Sequence, residues 1–264
     1  MKRKRRFKRE KLRRGIYVLP NIFTSLNIFF GFYSVIASID GKFVAAAISI
    51  LIAGVFDALD GRIARATKTT SRFGIEYDSL ADVVSFGVAP GLMMYLWALR
   101  PLGRIGWLAA FLFVTCGALR LARFNTQLGS ISSKHFVGLP IPLAATMNAA
   151  TILFCDKFGI QESVNPVLVM VMLYFLSFLM VSTIKYESFK KPELFTKMNF
   201  NVLVAAILIL IFIAAQPSIA LFMIGVIYII SGPFNTIRRY KEIKEKRTEP
   251  QNGDEQTTEV VNHT

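Results

Sequence analysis

Cysteine and histidine are scarce in this chain of 264 residues. It has two cysteines, Cys116 and Cys155, both within apolar runs, and two histidines, His135 and His263. Two cysteines are too few for a disulfide framework or a cysteine-rich zinc site. Two histidines likewise argue against a metal site built from imidazole ligands.

Charge is also scarce. Charged residues make up 18% of the chain, apolar residues 53%, and the mean hydropathy is +0.48. A soluble domain usually carries about 25% charged residues. The composition therefore excludes a disordered chain and an ordinary soluble enzyme, and it predicts a protein embedded in a lipid bilayer.

Long apolar runs give the fold class. Stretches of about 17–25 apolar residues are long enough to cross a membrane as helices. Turn formers and helix starters separate them at Asp40-Gly41, Arg100-Pro101, Asn165-Pro166 and Gln216-Pro217. We therefore predict an all-α, polytopic membrane helix bundle with about eight transmembrane helices. The predicted spans are 17–38, 43–61, 79–99, 105–122, 140–158, 164–184, 199–215 and 217–236.

Basic residues are concentrated on one side of this topology. Eight spans place both termini on the same side, which carries 27 of the 31 Lys and Arg residues. The positive-inside rule identifies that side as cytoplasmic, in the cell membrane. Residues 1–14 alone contain ten Lys or Arg and one acid, Glu10. Beside a membrane helix, this run predicts contact with anionic lipids and not with nucleic acid.

Three regions follow from these patterns. Residues 1–16 form a basic cytoplasmic N-terminus, and residues 17–238 form the transmembrane domain. Residues 239–264 are Lys, Glu, Thr and Asn with few apolar side chains. Such a composition predicts a disordered tail, which this topology places in the cytoplasm.

Four aspartates stand out at the predicted helix ends. Asp57 and Asp60 are three residues apart, and Asp78 and Asp82 are four apart, so each pair lies on one helix face. Acidic residues in membrane segments are costly and indicate a functional site. Four close carboxylates repel each other unless they are protonated or neutralised. Hard divalent cations do this with oxygen ligands, and Mg²⁺ typically serves phosphate substrates.

Other interpretations of the aspartates remain open at this stage. They could cap helices, pair with surface arginines, or relay ions or protons in a transporter. Transporter acids usually lie at the bilayer midplane on broken helices. Here the acids are at cytoplasmic helix ends beside Arg62, Arg65 and Lys68. This placement favours phosphate chemistry.

The stretch between residues 57 and 82 matches the pattern D-x2-D-G-x2-A-R-x8-G-x3-D-x3-D at every fixed position. These positions are Asp57, Asp60, Gly61, Ala64, Arg65, Gly74, Asp78 and Asp82. The chain thus resembles the CDP-alcohol phosphatidyltransferase family. The resemblance implies an integral membrane enzyme that uses a CDP-linked lipid or alcohol. It also implies a pair of divalent metal ions, Mg²⁺ or Mn²⁺, among the aspartates, and a homodimer.

The flanking segments resemble one branch of that family, the membrane-embedded phosphatidylserine synthases of bacteria and archaea. They are L-P-N-I-F-T-S-L-N-I-F-F-G-F, V-V-S-F-G-V-A-P-G, A-L-R-L-A-R-F-N, F-V-G-L-P-I-P and M-V-S-T-I-K-Y-E-S-F-K. The resemblance runs from about residue 19 to 190. It implies CDP-diacylglycerol and L-serine as substrates. Glycerol 3-phosphate or inositol phosphate remains an alternative acceptor.

The resemblance also assigns roles in the site. Metal ligands would be Asp57, Asp60, Asp78 and Asp82, and Asp82 would also be the general base. The CDP-diacylglycerol site would contain Asn21, Thr24, Asp60, Gly61, Ala64, Arg65, Gly74 and Asp78. Asn27 would line the site from the first span. His135 is followed by Phe136 and Val137, which does not fit the H-x-K-x4-D motif of the soluble synthases with a histidine nucleophile. Direct displacement is therefore expected.

The charged groups of serine indicate which residues could form its binding site. Its carboxylate needs a cation, and Arg120 and Arg123 share a helix face at a predicted cytoplasmic end. Asn125 could assist the ammonium group, and Lys185 offers a second cation on the same membrane side. We expect these four residues to bind serine. The alternative is that the cations only anchor helix ends to lipid phosphates.

Overall fold

The structure is a computed structural model. It describes the backbone of residues 2–67, 69, 71–127, 136–186, 204, 211 and 213–248, and the side chains of 19–67, 69, 71–126, 138–184, 204, 211, 213–234 and 236. Helices dominate this part of the chain, as predicted. In chain order they are α1 (Lys2–Ile39), α2 (Phe43–Thr67), α3 (Arg72–Asp82), α4 (Ala89–Met94), α5 (Arg104–Gln127), α6 (Ile141–Lys157), α7 (Pro166–Val181) and α8 (Pro217–Thr248).

Within the described residues, five helical segments are long and apolar enough to cross a membrane. They are Leu19–Ile39, Phe43–Thr67, Arg72–Leu102, Arg104–Thr126 and Pro217–Phe234. The apolar helix Pro166–Val181 is shorter, and α6 covers most of the predicted span 140–158. Most of the predicted span 199–215 lies outside the described residues. Helix α8 continues through Thr248, into the segment predicted as a disordered tail, whose remainder is not described.

The predicted breaks lie between helices for identifiable reasons. Gly41 has a φ of 75°, a left-handed conformation that ends α1 without the steric cost of a Cβ atom. The side chain of Asn165 accepts a hydrogen bond of 2.9 Å from the backbone N–H of Val167. This caps α7, whose first residue, Pro166, has no N–H to leave unsatisfied.

Polar side chains lie inside the bundle and large apolar ones outside. Fully or nearly fully buried polar residues include Asn27, Ser34, Ser85, Asn148 and Ser177. Many large apolar side chains are exposed instead, among them Phe29, Phe32, Leu80, Leu168, Phe178 and Ile227. Small and polar residues at helix interfaces with apolar surfaces toward lipid are typical of membrane bundles.

The third span is not a regular helix. After α3 the chain forms a π-helical turn at Val83–Val88, then α4, a second π-helical turn at Tyr95–Leu99, and a 3₁₀ turn at Arg100–Leu102. Pro90 lies in the first turn of α4, where its missing N–H is tolerated. Such π-helical turns are frequent at functional sites, and the first one directly follows Asp82.

Two short strands join the segments that follow α5 and α7. Strand β1 (Phe136–Val137) pairs antiparallel with β2 (Lys185–Tyr186), with Val137 opposite Lys185. The N–H of Gly138 donates to the carbonyl of Ile184 over 2.9 Å, and that of Leu139 donates to Leu179 over 3.0 Å. Strand β2 also contacts α8, so the paired strands bring the segments that follow α5 and α7 together beside the last described helix.

Candidate active site

The aspartate cluster forms where α2 and α3 approach each other. Asp57 and Asp60 are in the second half of α2, and Asp78 follows on α3 after the connecting loop. One carboxylate oxygen from each of these three residues lies within 4.8 Å of the others. The structure therefore brings together three of the four predicted metal ligands.

Asp82 lies beside this group and is buried. Its side chain is 8% exposed, and it interacts directly with Asp57. Its Oδ1 and the Oδ1 of Asp78 are both buried without a hydrogen-bond partner among the described residues. Buried carboxylate oxygens are normally paired, because an unpaired one costs free energy.

These carboxylates fit a divalent cation. They are hard oxygen ligands on two elements, as Mg²⁺ and Mn²⁺ prefer. Two of them, Asp78 and Asp82, carry a buried oxygen that no described donor satisfies. A bound cation would offset the mutual repulsion of the carboxylates, and it would satisfy the buried oxygen of Asp78. The donor set therefore supports a metal site at this position.

The first membrane helix contributes to the same site. The Thr24 hydroxyl donates a hydrogen bond of 2.9 Å to Asp60 Oδ2, which fixes the carboxylate of Asp60 from α1. Asn21 lies against Gly74 of α3, with its Oδ1 3.6 Å from the position that a Cβ of Gly74 would occupy. The geometry thus places Thr24 against an aspartate of the cluster and Asn21 against the start of α3, and their contact with CDP-diacylglycerol stays a prediction.

Two glycines of the motif allow close contacts. The guanidinium of Arg65 lies over Gly61, 3.4 Å from the position of an added Cβ. The N–H of Gly74 donates to Ser71 Oγ over 3.0 Å and caps the start of α3. Arg65 is exposed, and the preceding residue, Ala64, is half-buried on the face of α2 that carries Asp60 and Gly61. This surface could receive a phosphate group beside the aspartates.

The residues predicted to bind serine do not share one environment. Arg120 is half-buried and lies close enough to Asp82 to interact electrostatically with it. Arg123 is exposed, although it is only three residues away. Asn125 donates a hydrogen bond of 2.8 Å to Ser79 Oγ on α3. The side chain of Lys185 is not described, but its backbone lies in β2, next to α8.

Two functional contacts were missed by the sequence analysis. Tyr228 of α8 lies within electrostatic range of the Arg120 guanidinium. Ser25 of α1 and Tyr77 of α3 share an exposed hydrogen bond of 2.9 Å between their hydroxyl groups, one residue before Asp78. No spacing rule links residues so far apart in sequence. For the first contact, the only available signal in the sequence was Tyr228 itself, a tyrosine within the mostly apolar run 217–236.

Comparison with known proteins agrees with the motif and its geometry. The family model described as CDP-alcohol phosphatidyltransferase matches residues 17–183. A CDP-diacylglycerol–serine O-phosphatidyltransferase of Helicobacter pylori is 39% identical over 82% of this chain and 90% of its own. A protein with the same name from Methanocaldococcus jannaschii is 35% identical over 85% of this chain and 97% of its own.

A third relative differs in name. The archaetidylserine synthase of Methanothermobacter thermautotrophicus is 41% identical over 64% of this chain and 69% of its own length. The family match extends over well more than half of the chain and includes every aspartate of the cluster. With five helices able to span a bilayer, the protein is an integral membrane protein. The chain belongs to the CDP-alcohol phosphatidyltransferase family.

Proposed function

We propose that this chain transfers the phosphatidyl group of CDP-diacylglycerol to the hydroxyl of L-serine, giving phosphatidylserine and CMP. The observation that carries the proposal is the position of Arg120 beside the aspartate cluster. Arg120 is a half-buried cation within electrostatic range of Asp82, where an acceptor with both a carboxylate and a hydroxyl would need it. The names of the relatives from Helicobacter pylori and Methanocaldococcus jannaschii support serine as that acceptor.

The nucleotide side of the site is the surface of α2 around Gly61. Arg65 would bind a phosphate of the diphosphate through its planar guanidinium. Gly61, Ala64 and Gly74 are small residues and would leave room for the cytidine and ribose. Asn21 and Thr24 of α1 would form the opposite wall of the site. Asp60, held by Thr24 over 2.9 Å, and Asp78 would face the diphosphate.

The acceptor side is formed by α3, α5 and the neighbourhood of β2. Arg120 would bind the serine carboxylate, with Arg123, Asn125 and Lys185 nearer the entrance. The serine hydroxyl would then face Asp82, which accepts its proton as the new oxygen–phosphorus bond forms. The bond between that phosphorus and the oxygen of CMP breaks in the same displacement, and CMP leaves with the electron pair.

A divalent metal centre completes this proposal. Asp57, Asp60, Asp78 and Asp82 would hold Mg²⁺ or Mn²⁺, with room in the ligand set for two ions. When bound, such ions neutralise the charge of the diphosphate and of the leaving phosphate. Asp82 is an ordinary carboxylate and a weak base toward an alcohol, so the pocket must also position the serine hydroxyl accurately.

We also propose the orientation in the membrane. The eight-span topology with a transmembrane domain at 17–238 places the aspartates and both termini on the cytoplasmic side of the cell membrane. It is supported by the concentration of Lys and Arg on that side. The basic segment 1–16 would contact anionic lipids, and the polar segment 239–264 would extend into the cytoplasm. A homodimer without nucleic acid is the proposed assembly.

The decisive experiment is an acceptor panel with purified, full-length protein. CDP-diacylglycerol would be incubated with serine, glycerol 3-phosphate, inositol phosphate or water, and release of CMP would be measured. We expect rapid release with serine alone. Faster release with glycerol 3-phosphate or inositol phosphate would assign another acceptor within the family. Absence of CMP release with every acceptor would refute the transferase proposal and leave an ion-coupled transporter as the alternative.

Replacing the acceptor-side arginines should raise the KM for serine selectively. Lysine keeps the charge but lacks the planar fork that binds a carboxylate through two hydrogen bonds. We expect Arg120→Lys to raise the KM for serine by about tenfold or more, with little change in the KM for CDP-diacylglycerol. Arg123→Lys should have a smaller effect of the same kind, since Arg123 is exposed. Initial rates at varied concentrations of each substrate measure both constants.

Serine methyl ester provides the cross-check. The ester lacks the carboxylate charge, so the wild type should use it poorly, and Arg120→Lys should lose less on the same change. Arg100→Lys, an exposed arginine in the turn before α5, is the matched control. An unchanged ratio of the two KM values in both Arg120→Lys and Arg123→Lys would place the carboxylate site elsewhere, with Lys185 as the next candidate.

A further inference from the structure

The amide of Asn27 is a buried polar group without a partner. The residue is 0% exposed, and neither its Nδ2 nor its Oδ1 has a hydrogen-bond partner within the described structure. A side-chain amide can donate two hydrogen bonds and accept others, and burying it unpaired is costly. A buried amide in this condition is free to bind a neighbouring group, so its role depends on what lies next to it.

Neighbouring contacts place Asn27 at the inner end of the aspartate cluster. One turn earlier on α1, Thr24 binds Asp60, and one turn later Phe30 stacks on Phe56 of α2 at 5.4 Å. Asn27 therefore lies opposite the part of α2 that carries Asp57. Its own carbonyl oxygen accepts a hydrogen bond of 2.9 Å from Ser85 Oγ.

The contact with Ser85 brings Asn27 near Asp82. Ser85 follows Asp82 by about one turn, at the start of the π-helical segment Val83–Val88. The approach is close, since a Cβ added to Gly31 would lie 2.2 Å from Ser85 Oγ. Glycine at position 31 thus permits α1 to pack directly against this turn.

The helix geometry of α1 gives the direction of the Asn27 side chain. Cα–Cβ bonds in a helix tilt toward its N-terminus. From Asn27, this is the direction in which Thr24 and Asp60 lie. Along the third span, it is the direction of Asp82 and away from Ser85. The amide is therefore directed toward the carboxylates, among which Asp82 Oδ1 is itself buried without a described donor.

We propose that Asn27 is a positioning residue for the carboxylate pocket. Its amide N–H donates a hydrogen bond to the buried Oδ1 of Asp82 when the site binds its divalent cation. The hydrogen bond holds one oxygen of Asp82 in place and leaves the other for the cation and, later, for the serine proton. This inference rests on the proposed metal site but not on the identity of the acceptor.

The test is the binding of Mn²⁺ to the purified full-length protein, measured by calorimetry without substrates. Asn27→Leu keeps the side-chain size and removes both polar atoms. Loss of a residue that orients a metal ligand typically weakens metal binding by about 10- to 100-fold, and we expect at least tenfold. Asn27→Asp, which replaces the donor with a further acceptor, should raise the Mn²⁺ concentration needed for half-maximal activity. In Asn27→Leu, kcat should fall about tenfold at saturating metal, with both KM values near wild type.

Asn148 of α6 provides a matched control. It is also 0% exposed, and both of its amide atoms lack a partner among the described residues. Asn148→Leu therefore removes a comparable buried amide, and we expect it to retain wild-type Mn²⁺ affinity. Thermal unfolding of each variant shows whether the protein has kept its fold.

The outcomes separate this inference from the proposed function. Weakened Mn²⁺ binding in Asn27→Leu but not in Asn148→Leu supports the inference, even if the acceptor panel selects a compound other than serine. Wild-type Mn²⁺ affinity in a folded Asn27→Leu variant overturns it while leaving the transferase proposal intact. Equal weakening in both variants also overturns it, because the cause would be general packing. A wild-type protein that binds no Mn²⁺ overturns the metal site and this inference together.

Discussion

Removal of divalent cations is expected to abolish the transferase activity, and addition of Mg²⁺ or Mn²⁺ to restore it. Asp57, Asp60 and Asp78 have carboxylate oxygens within 4.8 Å of one another, with Asp82 next to them. Without a cation, their repulsion and the negative diphosphate would oppose substrate binding. The loss should therefore be complete within detection. CMP release in chelator, followed by titration with each metal, measures it.

Two controls make this result interpretable. Circular dichroism of the chelated protein should be unchanged, which would separate loss of a ligand from unfolding. Asp57→Asn and Asp60→Asn should each shift the metal titration to higher concentration, because a neutral amide is a poorer ligand than a carboxylate. Full activity after thorough chelation would show that the aspartates serve another purpose.

Asp82→Asn is expected to lower kcat by about 10²-fold or more. The substitution keeps the side-chain size but removes the group proposed to accept the serine proton, and positioned general bases typically contribute 10²- to 10⁴-fold. Asp82 is 8% exposed and lies within electrostatic range of Arg120, so solvent cannot easily replace it. Steady-state rates at saturating Mg²⁺ and both substrates measure the effect.

Nucleotide binding should distinguish Asp82 from the other aspartates. CMP affinity, measured by calorimetry in the presence of Mg²⁺, should be kept better in Asp82→Asn than in Asp57→Asn or Asp60→Asn. Glu76→Gln is the matched control, since Glu76 is an exposed acid on the same helix. Near-normal turnover by Asp82→Asn would mean that another group, or water alone, accepts the proton.

Local spacing predicted the aspartate cluster well. Asp57 and Asp60 lie on one helix face and Asp78 and Asp82 on another, as the intervals of three and four residues require. A polar connection between two membrane helices then brings the faces together. Bilayer thickness likewise predicted the end of the first span near Ile39 and the start of the second at Phe43, because an apolar helix has to match it. The second helix continues to Thr67, six residues beyond its predicted end at 61.

The sequence alone could not predict features that depend on packing between helices distant from one another in the chain. The predicted span 79–99 misses the start of its helix at Arg72. The first turns of α3 are polar, so they lower the mean hydropathy of any window that includes them. Arg120 and Arg123 were expected to act alike from their spacing, yet one is half-buried and the other exposed. Which of two neighbouring side chains is buried depends on where α3 and α8 pack, and a local pattern contains no information on that.

The position of Tyr228 has a consequence for how the protein is made. The family match ends at residue 183, yet Arg120 has Tyr228 of α8 within electrostatic range. Because chains are synthesised from the N-terminus, the aspartates and Arg120 enter the membrane well before this tyrosine is translated. The aspartate cluster can therefore assemble early, but the surroundings of Arg120 are completed only when α8 is inserted. If Arg120 binds the acceptor as proposed, the chain would become selective for its acceptor only after α8 has entered the membrane.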